Sequence, residues 1–149
     1  MEEYGGQPIP CGDIANRIAQ VFRCGVLYRN KLLEQEDLNG YQHTYILAVC
    51  DNPGITQDQL AQAIYVNKSN VTRQLSLLEQ NGYVTRRIDD KDKRALRVYP
   101  TEKAVAVYPR VQALMRQWDA LISEGLLPEE KEQFAKILER VKQNALRVV

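Results

Sequence analysis

The chain is short of the residues from which most active sites are built. Its 149 residues include one histidine, His43, and three cysteines, Cys11, Cys24 and Cys50. A single imidazole leaves little material for a His-dependent catalytic site or a metal centre, and no two cysteines stand at the spacing of a zinc knuckle. An odd, scattered set of thiols argues against a disulfide framework and for a reducing compartment. The eight glycines are dispersed, so no Gly-rich loop is available to cradle a phosphate. No apolar run approaches the roughly 20 residues of a membrane-spanning helix. The opening stretch from Met1 to Asp13 lacks an apolar h-region, so the expected address is the cytoplasm and no membrane partner is expected. These absences weigh against an enzyme, and neither a cofactor nor a metal is expected.

Hydrophobic residues make up 44% and charged residues 26%. Those proportions suit a globular chain long enough to bury its own core. A formal net charge of +1 at first argues against a polyanionic partner, but the charge is unevenly spread. From Lys68 to Arg97 there are eight basic and four acidic side chains, a local +4 that leaves −3 for the rest. A near-neutral protein with a local basic stripe is what a compact DNA-binding surface needs.

Periodicity divides the chain into short elements. Asp13 can cap a first helix to about Glu36, with Ile14, Ile18, Val21, Phe22, Gly25 and Tyr28 at helical spacing and Cys24 read as buried. A second helix from about Tyr41 to Cys50 is apolar on most sides, and Cys50 is likewise read as buried. After the turn signal Asp51-Asn52-Pro53-Gly54, Thr56 and Gln59 resemble a capping box opening a short helix. Asn67 can cap the next, from Lys68 to about Asn81, with Val71, Leu75 and Leu78 inward and Gly82 as its stop. The period then switches to two β-capable runs, 83–88 and 95–99, around a polar tip from Asp89 to Arg94. Thr101 can cap a long helix with Val105, Tyr108, Val111, Met115, Trp118 and Ile122 in a stripe. A kink is expected at Pro109. Gly125 ends that helix, and Pro128 starts a last one carrying Phe134, Ile137, Leu138, Val141 and Ala145.

This order is mainly α with a small β-hairpin wing. Residues 38–100 read as a winged helix-turn-helix lobe, flanked by helical segments 12–36 and 101–147, in a single unit 1–149. The outer stripes need a cover, and a second copy of the chain is the simplest one.

A helix-turn-helix sets its second helix in the major groove with its first residues toward the base edges. Here Lys68, Ser69, Asn70, Thr72, Arg73 and Gln74 have outward or flanking directions. Arg suits guanine, Asn and Gln suit adenine, and Ser and Thr suit phosphate. Thr56 and Gln57 open the preceding helix and join the candidate surface. In the wing, Arg87, Lys91, Lys93 and Arg94 can follow the negative potential of the backbone or minor groove. Asp92, repelled by phosphate, is better placed to orient Arg94 or Arg87.

The chain resembles the multiple-antibiotic-resistance regulator (MarR) family. The resemblance is carried by Leu60-Ala61, by Ser69-x-Val71-Thr72-Arg73-x-Leu75-x-x-Leu78-Glu79-x-x-Gly82-Tyr83-Val84-x-Arg86, by Asp89-x-x-Asp92-x-Arg94 and by Thr101-Glu102-Lys103, and it spans about residues 12–147. Ala104 stands where the family often has Gly, Asp90 where it often has Pro, and Lys93 where Arg is common. The resemblance implies a homodimer with intertwined terminal helices, two helices reading half-sites of a pseudo-palindromic operator, and repression released by a small phenolic or anionic ligand or by cysteine oxidation. The ligand region it implies would be lined by Arg23, Tyr28, Tyr41, His43, Tyr45 and Tyr108, a set able to take an aromatic carboxylate. The same tyrosines can equally be core or interface filler. Cys11, before the first helix, is the thiol a redox-sensing alternative would use. A winged helix that binds protein rather than DNA is the remaining alternative.

Overall fold

In the computed structural model, residues 12–149 are described and fall into two compact units, up to Gln112 and from Ala113 onward. The expectation for Cys11 lies outside the described residues. In chain order the elements are α1 (Asp13–Leu33), a single 3₁₀ turn (Glu34–Glu36), α2 (His43–Asp51), β1 (Ile55–Thr56), α3 (Gln57–Ala63), α4 (Lys68–Gln80), β2 (Val84–Ile88), β3 (Leu96–Pro100), α5 (Glu102–Ile122) and α6 (Pro128–Leu146).

The first unit packs around α2, α3, α4 and a small antiparallel sheet ordered β1-β3-β2. Ile46, Val49, Leu60, Val71, Leu75 and Leu78 are fully buried, and Val84 and Val98 close the core from the sheet. Sequestering side chains of this size is the main force holding the lobe together. Val98 sits opposite both Ile55 and Arg86, so β3 is the central strand. The two-residue β1 was not foreseen. Its hydrogen bonds are supplied by β3 rather than by local pattern, and two residues carry no readable period.

The local signals behave as their chemistry requires. Thr56 Oγ1 accepts from the Gln59 N–H at 3.1 Å, and Gln59 Oε1 accepts in return from the Thr56 N–H at 3.0 Å. This reciprocal pair ends the turn and starts α3. Asn67 Oδ1 accepts from the Asn70 N–H at 2.8 Å and fixes the start of α4. Between α3 and α4, Tyr65 adopts φ +54, a left-handed conformation that turns the chain within the four-residue connection 64–67. Gly40 is held at the α1–α2 junction by close contact. A β-carbon there would lie 2.3 Å from the Val26 carbonyl oxygen.

Three expectations are corrected. Asp13 lies inside α1, and the cap position is Gly12, without a side-chain bond. Cys24 is exposed and Cys50 half-buried, because the buried face of α1 runs through Gly25, Val26, Arg29 and Leu33 and that of α2 through His43, Tyr45, Ile46 and Val49. On α5 the buried positions are Ala104, Val107, Val111 and Leu114, whereas Val105 and Ile122 are exposed. The helix runs from Glu102 to Ile122 with Pro109 inside it.

In the second unit, Gly125 at φ +81 makes the turn that ends α5. The Leu127 N–H donates to Glu130 at 2.8 Å, which caps α6 behind Pro128. Among the described residues, α6 buries none, and Phe134, Ile137 and Leu138 stand exposed along it.

Candidate nucleic-acid interface

The solvent face of α4 follows from its buried one. With Val71, Leu75 and Leu78 packed inward, helical geometry turns Ser69, Thr72 and Arg73 outward, and all three are exposed. Lys68 is also exposed, paired with Asp58 at 3.0 Å. Ser69 Oγ donates to Asn67 at 2.8 Å, and Thr72 Oγ1 donates to the Lys68 carbonyl at 3.0 Å. Both hydroxyl oxygens keep acceptor capacity. Arg73 keeps its fork of donors toward solvent, the arrangement that suits a base edge or a phosphate.

Asn70 and Gln74 are less free than the helical wheel implies. Both are half-buried, Asn70 tied to α2 and Gln74 to the residue that caps it. The Tyr45 hydroxyl donates to Asn70 Oδ1 at 3.0 Å, and Gln42 Nε2 donates to Gln74 Oε1 at 3.2 Å. Burial pushes the Tyr45 phenol above its ordinary range, against the opposing charge of Arg73, so the donor stays protonated.

The wing is held in place by two arginines, one of which ties it to this helix. Arg86, largely buried, donates to Glu79 through Nη2 at 2.7 Å and Nε at 3.2 Å, to Ser76 at 3.2 Å and to Gln57 at 3.3 Å. This ties β2 to α4 and to the first turn of α3. The bonds from Arg86 hold the Glu79 carboxyl below its usual range. Gln57 spans the same seam, donating to Thr72 Oγ1 at 3.4 Å. At the wing's base, Asp89 is 5% exposed. Its Oδ1 accepts from the N–H groups of Lys91 and Asp92 at 2.7 and 3.1 Å, and its Oδ2 is bonded by Arg97. The two backbone bonds, more than Arg97, lower its carboxyl pKa. Arg97 also donates to the Gly54 carbonyl at 2.7 Å, which anchors β3 to the turn before β1.

From sequence, Asp89 stood out only as part of the Asp89-x-x-Asp92-x-Arg94 motif and Arg97 only as a charge of the stripe, neither as an anchor of the wing. An Asp that receives N–H groups two and three residues on is an Asx turn, and that local signal could have found it. The tip is therefore set on a buried anchor, with Lys91, Lys93 and Arg94 exposed beyond it. Asp92 orients Arg94, accepting from its backbone N–H at 3.0 Å and from Nε at 3.4 Å. It does not orient Arg87, which lies over the Tyr99 ring at 5.2 Å.

The six residues of the expected ligand region have separate surroundings. His43 is buried, its Nδ1 donating to the Gly40 carbonyl at 2.9 Å, and burial with the neighbouring Arg29 charge lowers its pKa to about 4. Tyr45 serves Asn70. Tyr108 donates to Asp51 and accepts from Gln112 at 2.9 Å. Tyr41 is exposed and tilted against Phe22, with ring centroids 6.0 Å apart. Arg23 is exposed and Tyr28 half-buried. A cleft of about 680 Å³ between α1, the segment leading into α2, and α4, lined by Asn30, Lys31, Asn39 and Gln42 among others, includes none of the six.

Comparison with known proteins decides the family. A profile described as MarR family matches residues 36–95. The uncharacterized HTH-type transcriptional regulator YybA of Bacillus subtilis is 30% identical over 132 residues, covering 89% of this chain and 88% of YybA. The chain belongs to the MarR family. The solved structure of the transcriptional regulator SlyA superposes on this MarR-family chain with a TM-score of 0.86 at 30% identity, over 90% of this chain and 94% of SlyA. A Listeria monocytogenes MarR-family regulator, solved in complex with 26mer DNA, has a TM-score of 0.82 at 25% identity and covers 90% of this chain and 89% of its own. The winged helix-turn-helix fold expected from sequence is the fold of these neighbours. The chain is thus a transcriptional regulator rather than an enzyme. Among the described residues no helix is long and apolar enough to cross a membrane.

Proposed function

We propose that this MarR-family regulator is a cytoplasmic, homodimeric repressor that reads a pseudo-palindromic operator with two copies of α4 and is released by a small aromatic or anionic ligand. The observation that carries the DNA-reading part is the exposed Ser69–Thr72–Arg73 face of α4, set beside a wing whose position is locked by Arg86 and Asp89 and whose tip carries Lys91, Lys93 and Arg94. A rigid helix and a rigid cationic tip let one lobe engage base edges and backbone together. The DNA complex of the Listeria relative supports the same use of the shared fold.

Dimerisation is supported by uncovered apolar faces. Ile14, Ile18, Val21 and Phe22 are exposed on α1, and Phe134, Ile137 and Leu138 on α6. Faces of this kind are buried by partners, and closed two-fold pairing is the commonest solution. On this reading 12–36 and 101–147 form the dimerisation region and 38–100 the DNA-binding lobe. Ligand release rests on the family resemblance, and the exposed Phe22 and Tyr41 rings, 6.0 Å apart, are an aromatic surface that such a ligand could use.

Selection of the full chain on duplexes with a randomised core tests the central reading. It should enrich a pseudo-palindrome whose half-sites lie about 10 base pairs apart, with affinity falling steeply as salt rises. Recovery of no sequence over the random pool overturns it. A thermal-shift panel of aromatic carboxylates tests release, since any ligand of the native state raises the unfolding midpoint.

A further inference from the structure

Asn70 occupies the first turn of α4, at the rim between its buried and solvent faces. The amide torsion of asparagine is broad, so left alone this side chain would present a mixture of orientations to a base. It is not left alone. The Tyr45 ring is 3% exposed in the lobe core, and its hydroxyl reaches out to Asn70 Oδ1 at 3.0 Å. Oδ1 has a second lone pair, and both hydrogens on Nδ2 remain available. This leaves one acceptor and one donor side by side, the pattern that pairs with N6 and N7 of adenine.

We propose that Tyr45, buried on α2, is a positioning residue for base recognition: its hydroxyl, donating to Oδ1, holds the Asn70 amide in place so that α4 reads an adenine at one base pair of each half-site. The inference rests on the DNA-reading function proposed above. The N-cap residue of α2, Gln42, repeats the device one turn along α4. There the Asn39 backbone N–H donates to Gln42 Oε1 at 3.0 Å, which leaves Gln42 Nε2 to donate to Gln74. A backbone N–H can only donate, so the sense of that relay is fixed from its origin. α2 and its cap residue thus template polar groups of α4 without facing solvent.

The test compares the full-length wild type with Tyr45→Phe, Asn70→Ala and the double variant in selection on a randomised duplex pool, followed by titration of the winning duplex. Tyr45→Phe keeps the ring and removes the donor. It should reduce discrimination at one A·T pair per half-site by about tenfold, at the same pair that Asn70→Ala affects. Binding to an unselected duplex and its salt dependence should be unchanged, and the double variant should be no worse than Asn70→Ala alone. Replacing Tyr45 with 4-aminophenylalanine, which keeps a donor at the same place, should restore the preference. It also keeps the test open should the Phe variant fold poorly. Unchanged discrimination in Tyr45→Phe, a loss spread evenly over all positions, or additive losses in the double variant would overturn the proposal while leaving DNA reading intact. If the wild type enriches nothing, the DNA-reading function falls and this inference with it.

Discussion

Arg73 and Arg94 are both exposed arginines, but their settings differ. Arg73 stands on the outward face of α4, where a fork of donors meets base edges. Arg94 stands at the wing tip, its side chain 92% exposed and directed by Asp92. Arg73→Ala should therefore weaken binding to the selected site by about 1–3 kcal/mol and relax preference at one base pair. Lys93→Ala and Arg94→Ala should weaken selected and random duplexes alike, each lowering the slope of log affinity against log salt by about 1. Fluorescence anisotropy titrations at several salt concentrations separate the two behaviours.

His43 makes a different residue-level prediction. Its folded pKa, about 4, lies below the ordinary 6.5, so the unfolded chain binds the extra proton between those values. Stability should fall as pH drops through that window and level off below it, by on the order of 3 kcal/mol in all. His43→Asn, which keeps a donor to the Gly40 carbonyl, should flatten that part of the profile in urea denaturation. A profile unchanged by the substitution would show that His43 is not its source.

At the scale of elements, the structure rests on junctions more than on helix propensity. Thr56→Ala removes one half of the capping box and should cost about 1 kcal/mol of stability. Gly40→Ala places a methyl against the Val26 carbonyl, which has no flexible end to yield, and should cost about 1–3 kcal/mol. Thermal unfolding checks both. These elements also show what a sequence discloses. The α3 and α4 caps, the stop at Gly82 and the switch to strand period were legible because each depends on neighbours within four residues. β1 was not, because its pairing partner Val98 lies 43 positions away. The Asp89–Arg97 anchor and the Arg86 clamp were missed for a related reason. Each joins charges across a turn or between elements, and a charge run alone does not say which members are buried.

At the scale of the whole molecule, the reading surface was visible in outline and altered in detail. Ser69, Thr72 and Arg73 face outward as the wheel requires, while Asn70 and Gln74 are drawn half inward by polar side chains of α2 and its cap that periodicity cannot register. The stripes on α1 and α6 were legible as apolar faces, and a single chain leaves them uncovered. Pairing should make the protein a dimer in solution, and an acidic substitution such as Ile137→Glu should shift it toward 17.1 kDa monomers in sedimentation equilibrium while weakening operator binding. The most direct test of a helix presented twice is hydroxyl-radical footprinting of the full chain on its selected duplex. Two protected windows centred about 10 base pairs apart, with two chains bound per duplex, are the predicted result. A single window occupied by one chain, or protection unaffected by Arg73→Ala, would contradict it.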